Sequence, residues 1–175
     1  MLRPADDSLL QGLAEGREEA FAALYDQFGA SLFQVAMSAL GSRQDAEDAV
    51  QEVFVGLVRA RERLRQVENL RAYLFAALRR AAARIAASPG RQRPLSSEEL
   101  VRLSAPEPPG VDSDRAVRLE QALRALPAEQ REVISLKVDG GLTFAEIAAL
   151  LGVSANTAAS RYRYALEKMR AALEM

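Results

Sequence analysis

The segment from Pro127 to Met175 constrains the fold more than any other part of the chain, because each of its junctions carries a start or stop signal. Pro127 suits the first turn of a helix, where a missing N–H costs nothing. Asp139, Gly140 and Gly141 end that helix, since glycine takes the positive φ that a C-terminal turn requires. Thr143 and Glu146 have the spacing of a capping box, and Phe144, Ile147, Ala148 and Leu151 then share one face. Gly152 makes a tight turn, Val153 is the apolar residue expected between the helices, and Ser154 caps a last, long helix. In that helix Ala158, Tyr162, Ala165, Leu166, Met169 and Leu173 follow a helical period and are expected to face a core. Asn156, Thr157, Ala159, Ser160, Arg161, Arg163 and Tyr164 are left for a ligand. A short capped helix, a four-residue turn and a long second helix make a helix-turn-helix, which lays its second helix in the major groove of DNA. The same pattern also suits a helical hairpin that merely packs.

At 175 residues the chain suits one or two small domains, and its wealth of alanine and leucine with few β-branched residues favours an all-α protein. It has no cysteine and no histidine, so disulfides, thiolate or imidazole metal sites and the commonest nucleophiles and bases are excluded. No cofactor is expected. No apolar run is long enough for a membrane span and no signal segment opens the chain, so a cytoplasmic protein without membrane insertion is expected.

The net charge of −1 hides a polarised chain. Residues 1–58 carry ten acids against three bases, and residues 59–93 carry ten arginines against Glu62 and Glu68. Residues 94–130 balance at −3 and residues 131–175 at +1. A basic block of this kind marks contact with phosphates or a solvated helix face.

Two helical blocks, 1–87 and 112–175, flank a Pro- and Gly-rich tether over 88–111 in which Ser96 to Leu103 could form a helical turn or two. In the first block Asp6 or Asp7 is placed to cap a short helix ending near Gly16. A second helix runs from about Glu18 to Leu40, with Phe21, Leu24, Tyr25, Phe28, Leu32, Val35 and Ala36 inward. Ser42 caps a third, whose Ala46, Ala49, Val50, Val53, Phe54, Leu57 and Val58 make an unbroken apolar stripe. A fourth spans about Asn69 to Ala87, with Leu70, Tyr73, Leu74, Ala77, Leu78, Ala81 and Ile85 inward.

Asp45, Asp48 and Glu52 form a stripe opposite the apolar face of the third helix, with Glu47 and Gln51 beside it. Acids in a first turn complement the helix dipole, but Glu52 lies a turn beyond and repels Asp48. A stripe of one sign, without a basic neighbour on its helix, is also what a docking face for a basic partner requires. The fourth helix is its counterpart. Arg80 and Arg84 share a stripe with Tyr73, and Arg71, Phe75 and Arg79 make another. Aromatics between arginines suit single-stranded nucleic acid, where bases stack and the backbone is neutralised; Phe75 taken alone equally suits the rim of a small core.

Together these strings resemble a bacterial RNA polymerase sigma factor of the extracytoplasmic-function (ECF) group. The resemblance rests on Asp45-Ala-Glu-Asp-Ala-Val-Gln-Glu-Val-Phe54, Arg71-Ala-Tyr-Leu-Phe75, the Pro-rich tether, Leu126-Pro with Arg131 and Val133, Thr143-Phe-Ala-Glu-Ile-Ala148, and Ser154 to Arg161. It implies that the first block is a region-2 domain whose Asp45, Asp48, Gln51 and Glu52 dock on the clamp helices of the polymerase β′ subunit. The loop from about Arg63 to Asn69, with Arg71, Tyr73, Phe75, Arg79, Arg80 and Arg84, would then recognise and open the −10 element. The last block would be a region-4 domain reading the −35 element through Ser154, Asn156, Thr157, Ser160, Arg161, Arg163 and Tyr164 and touching the β flap. An anti-sigma factor is a further partner that many relatives have. Members usually carry tryptophan at Tyr73, Asn and Asp at Arg80 and Arg84, and a base at Ala159. The expected function is a non-enzymatic factor directing core polymerase to promoter DNA; the alternative is a sigma-like regulator that binds DNA without docking on polymerase. A carboxylate-dependent hydrolase has no supporting motif.

Overall fold

The computed structural model describes residues 4–88 and 113–174, and among them every regular element is helical. The chain divides into two compact units, Met1–Pro94 and Leu95–Met175. The tether and the turn expected over Ser96 to Leu103 lie outside the described residues, Ser88 excepted.

The first unit comprises α1 (Pro4–Glu15), α2 (Glu18–Leu40), α3 (Arg43–Arg59), a 3₁₀ helix (Arg61–Gln66) and α4 (Leu70–Ala87). The helices end where local chemistry dictates. Gly41 takes φ 67° and its N–H donates to the Met37 carbonyl, closing α2. The Ser42 hydroxyl accepts from the Asp45 N–H at 3.3 Å to open α3, and the Asn69 side chain accepts from the Ala72 N–H at 2.9 Å to open α4. α2, α3 and α4 pack on one another, while α1 lies against α2 and the 3₁₀ helix. Leu13, Leu24, Leu32, Leu57, Leu64, Leu74 and Leu78 are wholly enclosed.

The second unit comprises α5 (Ser113–Ala125), α6 (Ala128–Val138), α7 (Phe144–Leu151) and α8 (Ala155–Glu174). α8 is its spine, in contact with α5, α6 and α7. Leu126, Ile134 and Ala165 form one buried cluster, with Leu123, Tyr162 and Met169 packed onto it.

Several expected inward positions are displaced. α1 begins at Pro4, ahead of Asp6 and Asp7, so neither is its cap. Val58 and Leu166 are 50 % and 43 % exposed. Each directly follows a buried stripe residue, Leu57 or Ala165, and so lies about 100° round its helix, at the margin that neighbouring helices do not cover. Tyr25 is 60 % exposed, its ring laid against Phe54 at 5.5 Å rather than inserted below it. No helix of the described residues is long and apolar enough to cross a membrane.

Candidate protein and nucleic-acid interfaces

The acidic stripe of α3 does not stand apart from the basic helix; the fold brings them together. Gln51 is exposed, whereas Asp45, Asp48 and Glu52 are half-buried. Glu52 pairs with Arg84 of α4. Glu47 pairs with Arg43 one turn back on the same helix at 2.8 Å. The stripe therefore does have a basic neighbour, and it borders α4 rather than pointing squarely away from the core. The expectation of a wholly unneutralised face is corrected to that extent: Gln51, with Asp48 beside it, lies outermost.

On α4 the expected residues separate. Arg79, Arg80 and Arg84 are exposed, and the Arg71 guanidinium sits over the Phe28 ring at 5.0 Å. Phe75 is 1 % exposed, which rules it out as a stacking platform for bases. The physical reason is that α4 is covered by both α2 and α3, so its buried stripe is wide enough to take in Phe75 and Ala82 beside Leu74, Leu78 and Ala81. Tyr73, expected in the core, is half-buried and lines a cleft of about 140 Å³ between α3 and α4. Glu52, Gly56, Arg80 and Arg84 line the same cleft. Sequence reasoning missed this cleft. An isolated glycine inside a strongly helical segment was the signal that could have flagged it.

In the second unit the local signals produce the expected helix-turn-helix. Gly140 is required by close approach, since a Cβ there would meet the Leu136 carbonyl oxygen at 2.6 Å. The Thr143 hydroxyl accepts from the Glu146 N–H, and the Glu146 carboxylate accepts from the Thr143 N–H at 2.6 Å, which completes the capping box. Gly152 takes φ 68° and turns the chain into α8. The Ser154 hydroxyl accepts from the Thr157 N–H at 3.0 Å and lies 2.8 Å from the Thr157 hydroxyl, so both side chains serve the helix start. Val153 is half-buried, as its place between the helices requires.

Along α8, Asn156, Ser160 and Arg163 recur at i, i+4 and i+7 and share the stripe opposite Ala158 and Ala165. Arg163 is exposed with its guanidinium 5.3 Å from the Tyr164 ring, itself half-exposed. Arg161 is turned inward, 24 % exposed, and pairs with Glu129 of α6 at 2.6 Å. Arg131, also missed as a structural group, donates to the Arg124 carbonyl at 3.2 Å and so closes the C-terminal end of α5. Such an outer stripe can offer an amide and a guanidinium to base edges, the pairings that favour adenine and guanine.

Comparison with known proteins covers both units. Residues 24–91 match the Sigma-70 region 2 family and residues 116–169 match Sigma-70 region 4. The ECF RNA polymerase sigma factor SigL of Mycobacterium tuberculosis is 31 % identical, over 94 % of this chain and 95 % of that protein. SigK of the same species is 28 % identical over 97 % of this chain and 94 % of its own length. Among solved structures, CnrH in complex with the cytosolic domain of CnrY superposes with a TM-score of 0.68 at 28 % identity, covering 97 % of each chain. RpoE of Bartonella quintana, bound to the anti-sigma factor NepR, shares the fold with a TM-score of 0.65 at 24 % identity, covering 89 % of this chain and 97 % of that one.

Proposed function

This chain belongs to the ECF RNA polymerase sigma factors, proteins that direct polymerase to promoters, and on that premise we propose how its two units divide the work. The observation that carries the reading is likeness over nearly the full length of both chains, with region 2 and region 4 in the family's order.

Residues 1–87 act as the polymerase-docking and −10 unit, 88–111 as the tether, and 112–175 as the −35 unit. Asp48 and Gln51, flanked by Asp45 and Glu52, meet basic groups on the β′ clamp helices. The pairing supplies orientation and encounter rate more than raw affinity, as charge complementarity generally does. Arg71, Tyr73, Arg79, Arg80 and Arg84 hold the displaced strand of the −10 element. Asn156, Ser160, Arg163 and Tyr164 read the −35 duplex, with Ser154, Thr157 and Arg161 holding the helix that presents them; the same unit touches the β flap. The protein acts in the cytoplasm and catalyses no reaction itself; polymerase does. An anti-sigma factor is a further partner we propose, CnrH being solved in complex with the cytosolic domain of CnrY and RpoE in complex with the anti-sigma factor NepR.

Size exclusion of purified chain with core polymerase, followed by transcription in vitro, tests this. Co-elution and start-site selection are expected. Asp48→Arg with Gln51→Arg should abolish co-elution, because like charges placed across such an interface cost several kcal/mol. Unchanged co-elution of that double variant would refute the docking face; absence of any polymerase complex for the native chain would refute the assignment as a whole.

A further inference from the structure

Lys137 lies on α6, outside the two helices of the helix-turn-helix, yet its ammonium group is engaged with the turn and with the helix that follows. The Nζ donates to the Leu142 carbonyl at 3.1 Å and stands 4.9 Å from the centre of the Phe144 ring. Phe144 opens α7, and its ring meets the Tyr162 ring of α8 edge-on, with centroids 5.5 Å apart at 61°. Lys137, Phe144 and Tyr162 thus form one line of contact from α6 through α7 to α8. We propose that Lys137 is a positioning residue for duplex reading, setting through Phe144 and Tyr162 the rotation of α8 about its axis. The inference rests on the assignment of α8 to the −35 element and adds a residue that governs its specificity without touching DNA.

The packing of the unit gives this line its weight. α6 and α7 meet each other little, although both pack on α8. The capping box of Thr143 and Glu146 orders the start of α7 within its own first turn, and Ser154 with Thr157 does the same for α8. Neither device relates one helix to another. Lys137 does, because an ammonium carries three donors and can serve a carbonyl while facing a ring. Leu142 is wholly enclosed, so its carbonyl needs a partner inside the protein. The charge then holds the Phe144 ring at a fixed place beside the turn.

Tyr162 is where that constraint reaches the reading surface. It packs onto the cluster of Leu126, Ile134 and Ala165, and it stands between Arg161 and Arg163 in the chain. A shift of the Phe144 ring turns Tyr162, and with it the stripe of Asn156, Ser160 and Arg163. Base edges are read by paired hydrogen bonds, and such constellations tolerate displacements of only about 0.5 Å. Phosphate contacts are more forgiving and carry no sequence information. Loss of the Lys137 charge therefore acts on discrimination before it acts on general affinity.

The test uses holoenzyme reconstituted from the full chain and core polymerase. Binding is measured over a salt series to a promoter found by start-site mapping and to a copy with its −35 segment scrambled. The ratio of the two affinities is the readout, and thermal melts establish that each variant is folded at the assay temperature. Lys137→Met is expected to lower the ratio roughly tenfold, as the loss of one base contact would. Its affinity for the scrambled copy and its salt slope should stay as in the native chain. Lys137→Arg should keep the ratio, since a guanidinium also donates and also stacks on an aromatic face. Lys137→Gln, neutral but still a donor, should fall with Lys137→Met. Phe144→Leu should lower the ratio as well, and the double variant with Lys137→Met should lose no more than the worse single one. An unchanged ratio in Lys137→Met, or a ratio kept by Lys137→Gln, would overturn the proposal alone. So would equal weakening on both duplexes with a salt slope reduced by about 0.9, the mark of a phosphate contact. Indifference of the native holoenzyme to the scrambled −35 segment would remove the reading role of α8 and this proposal with it.

Discussion

Arg161 and Arg163 stand two residues apart on one helix with the same side-chain chemistry, yet the fold gives them different tasks. Arg161 is turned against Glu129 and Arg163 is exposed beside Tyr164. Arg163→Ala is expected to weaken binding to promoter duplex and to reduce the slope of log affinity against log salt by about 0.9 if its contact is to phosphate. Arg161→Ala is expected to act first on the second unit's stability, lowering it by less than about 1 kcal/mol because Glu129 is largely exposed. Titration of duplex over a salt series, beside thermal melts, separates the two. Asp139 supplies the pH dependence. Burial raises its pKa above the ordinary 3.8, only partly offset by the Ser135 hydroxyl that donates to it at 3.1 Å. A carboxyl whose folded pKa is the higher one is less comfortable ionised in the folded state, so it lowers stability at neutral pH. That loss fades as pH falls through the raised value towards 3.8. Its place at the C-terminal end of α6 works in the same direction. Asp139→Asn should therefore melt higher than the native chain at pH 7, with the two converging near about pH 4. A gap that persists unchanged into acid would remove the carboxyl as its cause.

At the scale of the element, helix ends were legible in the sequence and helix faces only in part. Ser42, the Thr143–Glu146 box, Gly152 and Ser154 act within one turn of chain, so their partners are written a few residues away. The edges of a buried stripe are set by other elements. Phe75 is enclosed because two helices cover α4, while Val58 and Leu166 lie at margins left exposed among the described residues. The pairs that reorganise the candidate sites, Glu52 with Arg84 and Arg161 with Glu129, join residues some thirty positions apart, beyond any local period. The acidic stripe and the basic helix were each visible, but their sharing one cleft was not. Gly56 gives the element-level prediction. Alanine there should raise the stability of the first unit by about 0.5–1 kcal/mol, since the backbone is helical and the added methyl has open space. Chemical denaturation of the full chain checks it, and a loss of stability would show that the site is already fully packed.

For the whole molecule, affinity must come from connection rather than from charge. A net charge of −1 gives the chain no general attraction for DNA, and the second unit contributes only the weakly basic α8. Two weak sites on one chain still bind tightly when the second engages at the effective concentration set by the first, and avidity of this kind exceeds either affinity by about 10²–10⁴. On the proposed division of work, polymerase supplies the frame on which the units of this chain are held at the two promoter elements together. The free chain should therefore bind promoter DNA weakly and lose that binding at moderate salt, while core polymerase should restore it by two orders of magnitude or more. The same logic fixes how substitutions combine. Arg163→Ala in the second unit and Arg80→Gln in the first sit in units with separate cores, so on the proposed division of work their losses should multiply in holoenzyme. Promoter filter binding with each single variant and the double variant measures this directly. A double variant no worse than the weaker single one would mean that one unit alone contacts the promoter.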